Sequence, residues 1–239
     1  MYPYFSQAPF RLTLAACALL CSAGSAWCQT SANVSLLSAY TARGVTLAPH
    51  PVAQVQLEYD RATRCEAGCE VGWYLGAFAS PVRLGDRTQG QLMAYGGRSQ
   101  RIGASLTWDA SVSHSRFSRG GEFDYTEFHL GLMGRRSSVR LSYAPAYYGE
   151  GGSLYLDLNH SYPIGERWTL ALHGGVLHPL RAESSGGHTE RDSADLRLSL
   201  ATQLGNYRFQ GGVQKAWRPY HLPGTLPART VTAGVSRQF

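Results

Sequence analysis

Charged and hydrogen-bonding side chains recur at every second position along several stretches of this 239-residue chain. Glu58 and Asp60 stand in phase with Gln54 and Gln56. Glu127 precedes His129, Asp157 precedes Asn159, and Asp195 precedes Arg197, each by two positions. Arg208, Gln210 and Gln214 share one phase, and Asp109 and Arg140 each sit in an alternating run of their own. Arg43 before Gly44, and Arg218 near the end of a further run, add two guanidiniums. Opposed rows of carboxylates and guanidiniums can do one of two things. They can sort ions along a wet passage, as charged channel linings do, or they can zip a lumen shut with ion pairs. Neither needs a nucleophile, a metal or a cofactor.

Other chemistries have less to build on. His114 adjoins Ser113 and His160 adjoins Ser161, while His173, His178 and His188 fall near expected loops. A nucleophilic serine must reach a histidine that a third group orients. Adjacent residues of a strand point to opposite faces, so neither adjacent pair can form a dyad. Cross-strand pairs stay possible, and an outer-wall lipid hydrolase is the enzymatic alternative. Cys65 and Cys69, spaced C-x3-C, are expected to form a local disulfide, with a pair of free thiols as the alternative. A metal site would need two further ligands, and none stands nearby. Arg43 reads either as a pore-mouth arginine or as a strand-end residue paired with an acid, with Gly44 allowing the turn.

Those residues need strands to position them. From residue 33 onward the dominant period is two, as in 105–113, 153–159, 168–173 and 195–200. Such alternation marks half-buried strands, and no segment shows a capped 3.6 period. Twelve strands are predicted: 33–43, 52–61, 71–80, 90–98, 104–116, 124–134, 138–148, 153–162, 168–178, 192–203, 207–218 and 229–239. Connections at 135–137, 163–167 and 204–206 are short. Those at 44–51, 81–89, 117–123, 179–191 and 219–228 are longer. Long apolar-faced strands joined by alternating short turns and long loops suit an up-and-down transmembrane barrel better than a soluble sandwich. Trp73, Tyr143, Tyr147, Tyr162, Trp168, Tyr207 and Trp217 stand near strand ends, where interfacial girdles form. The pore-lining candidates are then Arg43, Glu58, Asp60, Asp109, Glu127, Arg140, Asp157, Asp195, Arg197, Arg208 and Arg218.

Composition agrees. Charged residues are 16% of the chain, below the usual quarter of a soluble domain, and aromatics are 11%. The chain is too apolar and aromatic for disorder. After the N-terminus no apolar run nears the roughly 18 residues of a spanning helix. Residues 1–28 read as a secretory signal: Arg11 precedes the apolar LTLAACALL and the small residues SAGSA. The competing reading is a lipoprotein signal ending at Cys17. The barrel is expected to occupy 29–239. Beyond the signal, 21 basic residues face 16 acidic ones, a net of +5, and Lys215 is the one lysine. They do not cluster, so no nucleic-acid partner is expected.

The chain ends on an alternating strand closed by Phe239, which resembles the assembly signal of bacterial outer-membrane proteins. Arg237 departs from the apolar residue usual there. Ser38, Tyr40, Arg43 and Gly44 match an S-x-Y-x-x-R-G opening, with Pro51 beyond. In order follow 72–80 (GWYLGAFAS), 124–128 (DYTEF), 141–149 (LSYAPAYYG), Leu154-Tyr155-Leu156, Tyr162-Pro163 and Trp168-Thr169-Leu170. Through nearly all of the mature chain this resembles the TorF-type porin family. The resemblance implies a barrel with a pore-like role and names no solute. The expected function is passive diffusion of small polar or anionic solutes across an outer membrane, with a closed structural or adhesive barrel as the alternative. The expected partners are membrane lipids and the barrel-assembly machinery.

Overall fold

A computed structural model describes residues 27–64, 70–85, 87–180, 191–220, 222, 225–227 and 229–239. Twelve strands close into an antiparallel barrel. They are β1 (Trp27–Leu37), β4 (Val52–Arg64), β5 (Glu70–Leu84), β6 (Arg87–Ile102), β7 (Leu106–Phe117), β8 (Tyr125–Met133), β9 (Ser137–Ala144), β10 (Ser153–Ile164), β11 (Trp168–Pro179), β12 (Ser193–Leu204), β13 (Tyr207–Trp217) and β15 (Arg229–Gln238). The strands between β1 and β4, β2 (Tyr40–Ala42) and β3 (Val45–Ala48), form a separate small sheet with β14 (Leu226–Pro227). Each barrel strand pairs with its sequence neighbour on the wall, and β1 pairs with both β4 and β15 to close the ring. Closure leaves no unpaired edge, the condition a spanning sheet must meet in lipid. Among the described residues no helix is long and apolar enough to cross a membrane, which says nothing against strands doing so.

Alternation sets the two faces. Leu36, Leu75, Leu130, Leu158, Leu172 and Leu198 point outward and are exposed. Between them Ser113, Ser115, Glu127, Asp109, Asp195 and Gln214 point inward and are buried. An apolar exterior over a polar interior is the inverse of a soluble fold and suits a lipid surround. Arg237, the departure in the last strand, is accounted for here. Its guanidinium lies 4.5 Å from the Phe239 ring centroid and 5.2 Å from that of Tyr207, and Nη1 donates to the Tyr207 hydroxyl at 3.2 Å. Rings on the outer wall shield the charge while its head reaches toward water.

Several predicted boundaries shift. The first strand is β1 at 27–37, not 33–43. The chain leaves the wall after Leu37, and β3 is buried along its whole length, which only the barrel interior can provide. The expected loop 81–89 is a continuation of β5 and β6 into a tight hairpin. Inward-facing Val82 and Leu84 hold it, both almost fully buried. The expected loop 219–228 contributes β14, which pairs with β3. Residues 1–26 of the expected signal, and Cys65 and Cys69, lie outside the described residues.

Candidate functional site

One end of the barrel carries the turns 103–105, 134–136, 165–167 and 205–206; the other carries the tight β5–β6 hairpin and the longer connections. At that loop end the chain folds back into the lumen. Arg43 and Gly44 have φ of 48° and 77°, the doubly left-handed geometry of a tight β2–β3 hairpin. A Cβ on Gly44 would stand 3.0 Å from the Ala216 Cβ and 3.2 Å from the Asp195 Cβ, so the hairpin tip rests against the wall of β12 and β13. Across the lumen, Arg43 Nη1 and Nη2 donate to the two Glu127 carboxylate oxygens of β8 at 2.6 and 3.0 Å. The same guanidinium lies over the Tyr155 ring at 4.4 Å and the Tyr147 ring at 5.2 Å. Thr41 donates to Gln214 Oε1 at 2.6 Å. The hairpin thus spans the bore and is tied to β8, β10 and β13.

An aromatic cluster packs around it. Val45 and Leu47 of β3 join Val82, Phe117, Tyr125, Tyr148 and Tyr220 in one buried core. Tyr147 belongs to this core, with ring contacts to Tyr125, Tyr148 and Tyr220 at 4.8–5.3 Å. It is therefore not a girdle residue. The period of two that suggested a strand through 138–148 ends at Ala144, and a 3-10 turn carries Tyr147 inward. Burial pushes the Tyr147 phenol up to about 12, although Arg43 pulls the other way. The other girdle candidates Trp73, Tyr143, Tyr162, Trp168, Tyr207 and Trp217 are exposed on the outer wall.

Below the hairpin most inward carboxylates are engaged. Tyr74 donates to Asp109 Oδ2 at 2.6 Å, and Arg140 lies 3.6 Å from Asp109 Oδ1. Tyr95 donates to Glu58 at 2.6 Å and receives Gln56 at 2.7 Å. Asp195 accepts from Tyr155 and meets His173 Nε2, both at 3.1 Å, while His173 Nδ1 meets Asn159 at 2.8 Å. Asn159 donates to Asp157 at 2.7 Å. Glycines on neighbouring strands make room for these tyrosines, since a side chain on Gly76 would collide with the Tyr95 ring and one on Gly97 with Tyr74. Asp60 faces inward on β4, nearer the turn end.

Arg197 and Arg208 differ. Neither has a hydrogen bond or ion pair among the described residues. Both line a cavity of about 340 Å³ beneath the hairpin, with Tyr40 and Thr41 above and Gln54, Ser199 and Gln210 around it. Of the pore-lining candidates, Glu58, Asp60, Asp109, Glu127, Arg140, Asp157, Asp195, Arg197 and Arg208 sit on inward positions of the wall. Arg43 is on the hairpin, paired with an acid 84 positions away. Arg218 is off the wall: β13 ends at Trp217, the chain turns at φ 48°, and the side chain is exposed.

Histidines pair across strands and not within them. His129 Nε2 meets Ser113 and its Nδ1 meets Ser142, both at 2.9 Å, inside the lumen. On the outer wall His160 meets Ser137 and His114 meets Thr126, both at 2.9 Å. Among the described residues no carboxylate is hydrogen-bonded to any of these three rings, while His173 and His178, which do meet Asp195 and Asp192, are hydrogen-bonded to no serine there, so nucleophile, base and orienting acid do not come together at any one of these histidines. None of the inward tyrosines was among the pore-lining candidates, and Tyr147 was expected on the outer girdle. Tyr74 and Tyr95 were detectable by phase, since they alternate with outward Leu75 and Trp73 or fall opposite glycines. Tyr40, Tyr147 and Tyr220 carry no such phase.

A family model described as "Bacterial protein of unknown function (Gcw_chp)" matches residues 22–211. Its description names neither TorF-type porins nor an activity. No curated protein matches the chain. One solved structure, described as "Unveiling the Mechanism Behind the in-meso Crystallization of Membrane Proteins", is 8% identical with a TM-score of 0.53, over 88% of this chain and 83% of its own. A KdgM porin is 12% identical over 87% and 98%, with a TM-score of 0.47. An outer-membrane channel from Pseudomonas putida F1 is 12% identical over 88% and 95%, with a TM-score of 0.48. Only the first likeness is strong enough to bear on the fold.

Proposed function

We propose that this chain, which belongs to the Gcw_chp family of bacterial proteins of unknown function, is a porin-like barrel of the outer membrane. It passes small polar or anionic solutes by diffusion, without chemistry and without a cofactor. The observation that carries this reading is the division of charge within the lumen. The carboxylates Glu58, Asp109, Glu127 and Asp195 are taken up by tyrosine, arginine or histidine partners, while Arg197 and Arg208 face the cavity without one. A lining with paired acids and free guanidiniums favours anions. The inserted hairpin sets the bore, which limits passage to small solutes. The resemblance to TorF-type porins adds a pore-like role. The N-terminal signal directs export, and the last strand with Phe239 engages the assembly machinery.

A second reading has its own support. The Arg43 clamp and the aromatic core close the loop end tightly enough for a barrel with a structural role. Single-channel conductance of the refolded mature chain, under a salt gradient, separates the two. Discrete steps with an anion-selective reversal potential support the porin reading. A silent barrel that still migrates as a folded species on an unboiled gel overturns it.

A further inference from the structure

The cavity below the hairpin has the makeup of a ligand site. Its wall is built from small residues: Ala171, Ser199, Ala201, Gly212 and Thr232 contribute little volume on β11, β12, β13 and β15. Gly212 has no room for more, because a Cβ there would stand 2.8 Å from the Leu198 carbonyl oxygen. The space that these residues leave open, about 340 Å³, lies at the small end of ligand pockets. Long polar side chains reach into it from the rim. Arg197 on β12 and Arg208 on β13 enter it from opposite ends, since Arg208 pairs with Gln203, six residues along β12 from Arg197, and Gln54 and Gln210 supply amides. Thr41 and Ser199 supply hydroxyls.

Charge decides what such a site holds. No carboxylate lines the cavity. Asp60 stands six residues toward the turn end from Gln54 on β4, about 20 Å along a strand. Asp195 is held by Tyr155 and His173. Two guanidiniums without an internal partner present planar forks of donors that fit a carboxylate. The amides and hydroxyls beside them suit ligand hydroxyl groups, and no aromatic face other than Tyr40 lines the space. We infer that this cavity is a binding site for a small hydroxy-carboxylate, a sugar acid in size, with one of the two guanidiniums, Arg197 or Arg208, holding its carboxylate and the other, at the far end of the cavity, meeting its hydroxyls. The inference rests on the porin-like reading and names the solute class of that same lumen.

Isothermal titration of the folded, detergent-solubilised barrel tests it, with gluconate as the probe. Sorbitol carries the same hydroxyl chain without the carboxylate, and inorganic phosphate offers a different oxyanion. The expected result is saturable gluconate binding that falls roughly tenfold or more in Arg197→Ala and in Arg208→Ala, since each removes a charged hydrogen-bonding partner. Arg197→Lys should retain part of it. Three results overturn the inference: sorbitol binding as well as gluconate, both alanine variants binding like the parent, or phosphate binding in place of gluconate. Unboiled-gel migration checks that each variant is folded. Titration does not depend on conductance. A silent barrel that binds gluconate removes the channel reading and keeps the site, and a conducting barrel that does not bind it removes the site alone.

Discussion

Arg43, at the tip of an inserted hairpin, donates two hydrogen bonds to Glu127 on the opposite wall. Their side chains are only 17% and 7% exposed. A bidentate pair of this kind fixes direction as well as distance, so it holds the hairpin across the bore. Removing one partner leaves a buried charge alone, which costs more than the intact pair contributes. Arg43→Ala should therefore lower stability by about 3 kcal/mol and raise single-channel conductance. The double variant with Glu127→Ala should recover part of the stability and keep the raised conductance. Denaturant midpoints and bilayer recordings check both outcomes. Unchanged conductance in Arg43→Ala would show that the hairpin does not set the bore.

Gly44 and Gly165 give a controlled comparison. Both have positive φ, at 77° and 61°. A Cβ on Gly165 meets nothing within 4 Å, while one on Gly44 meets Ala216 and Asp195. Alanine at either position should cost about 1 kcal/mol for the left-handed backbone. Only Gly44→Ala should also alter conductance, because only it presses the hairpin off the wall. Equal conductance in the two variants would count against the contact.

Phe239 ends the ladder that β15 makes with β1. Its N–H donates to the Ala32 carbonyl at 2.9 Å, and its ring is exposed on the outer wall beside Arg237. Phe239→Ala should leave the refolded barrel intact in detergent. It should lower the fraction of chain that reaches the heat-modifiable form in cells. An unchanged fraction would remove the assembly role of the terminal ring.

Legibility in the sequence followed the wall. A period of two over ten residues is dictated by an apolar surround on one side and a wet lumen on the other, so runs such as 153–159 placed β10 directly. That same rule misled at 33–43. Tyr40 to Ala42 and Val45 to Ala48 belong to an insert that is covered on both faces, so phase carries no information there. Val82 and Leu84 hid for the opposite reason: they alternate correctly but past a proline, in a stretch that read as a loop. An acidic partner was one of the two readings open for Arg43. Which acid was not legible, because nothing local in the sequence joins positions 84 apart. The free state of Arg197 and Arg208 likewise depends on which acids the tyrosines of other strands have already engaged.

The hairpin seal should weaken in alkali. Burial pushes the Tyr40 and Tyr147 phenols up to about 12, above an ordinary value of 10.0. In the folded state these groups keep their protons while the unfolded chain loses its own, so stability falls as pH rises from about 10 toward 12. Below 10 both states are protonated and no dependence arises from these groups. Conductance at pH 11 should exceed that at pH 8, and Tyr147→Phe should reduce the difference. A flat profile would show that the seal does not depend on neutral phenols.

Selectivity gives the last test. Arg140 neutralises Asp109 from 3.6 Å, with Tyr74 as the other partner of that carboxylate. Arg140→Ala thus leaves one uncompensated negative charge on the β7 side of the lumen. Arg197→Ala acts differently, removing a positive charge that has no partner to release. Both changes lower the positive potential along the wall by one charge, and in a narrow lumen little screening intervenes. Each should move the reversal potential under a salt gradient toward cations, and the double variant should move it further. Arg218→Ala, on an exposed residue beyond the end of β13, should leave it nearly unchanged. If all three single variants behave like the parent, the conducting path does not pass these side chains. If Arg218→Ala alone shifts it, selectivity is set at the mouth and not within the barrel.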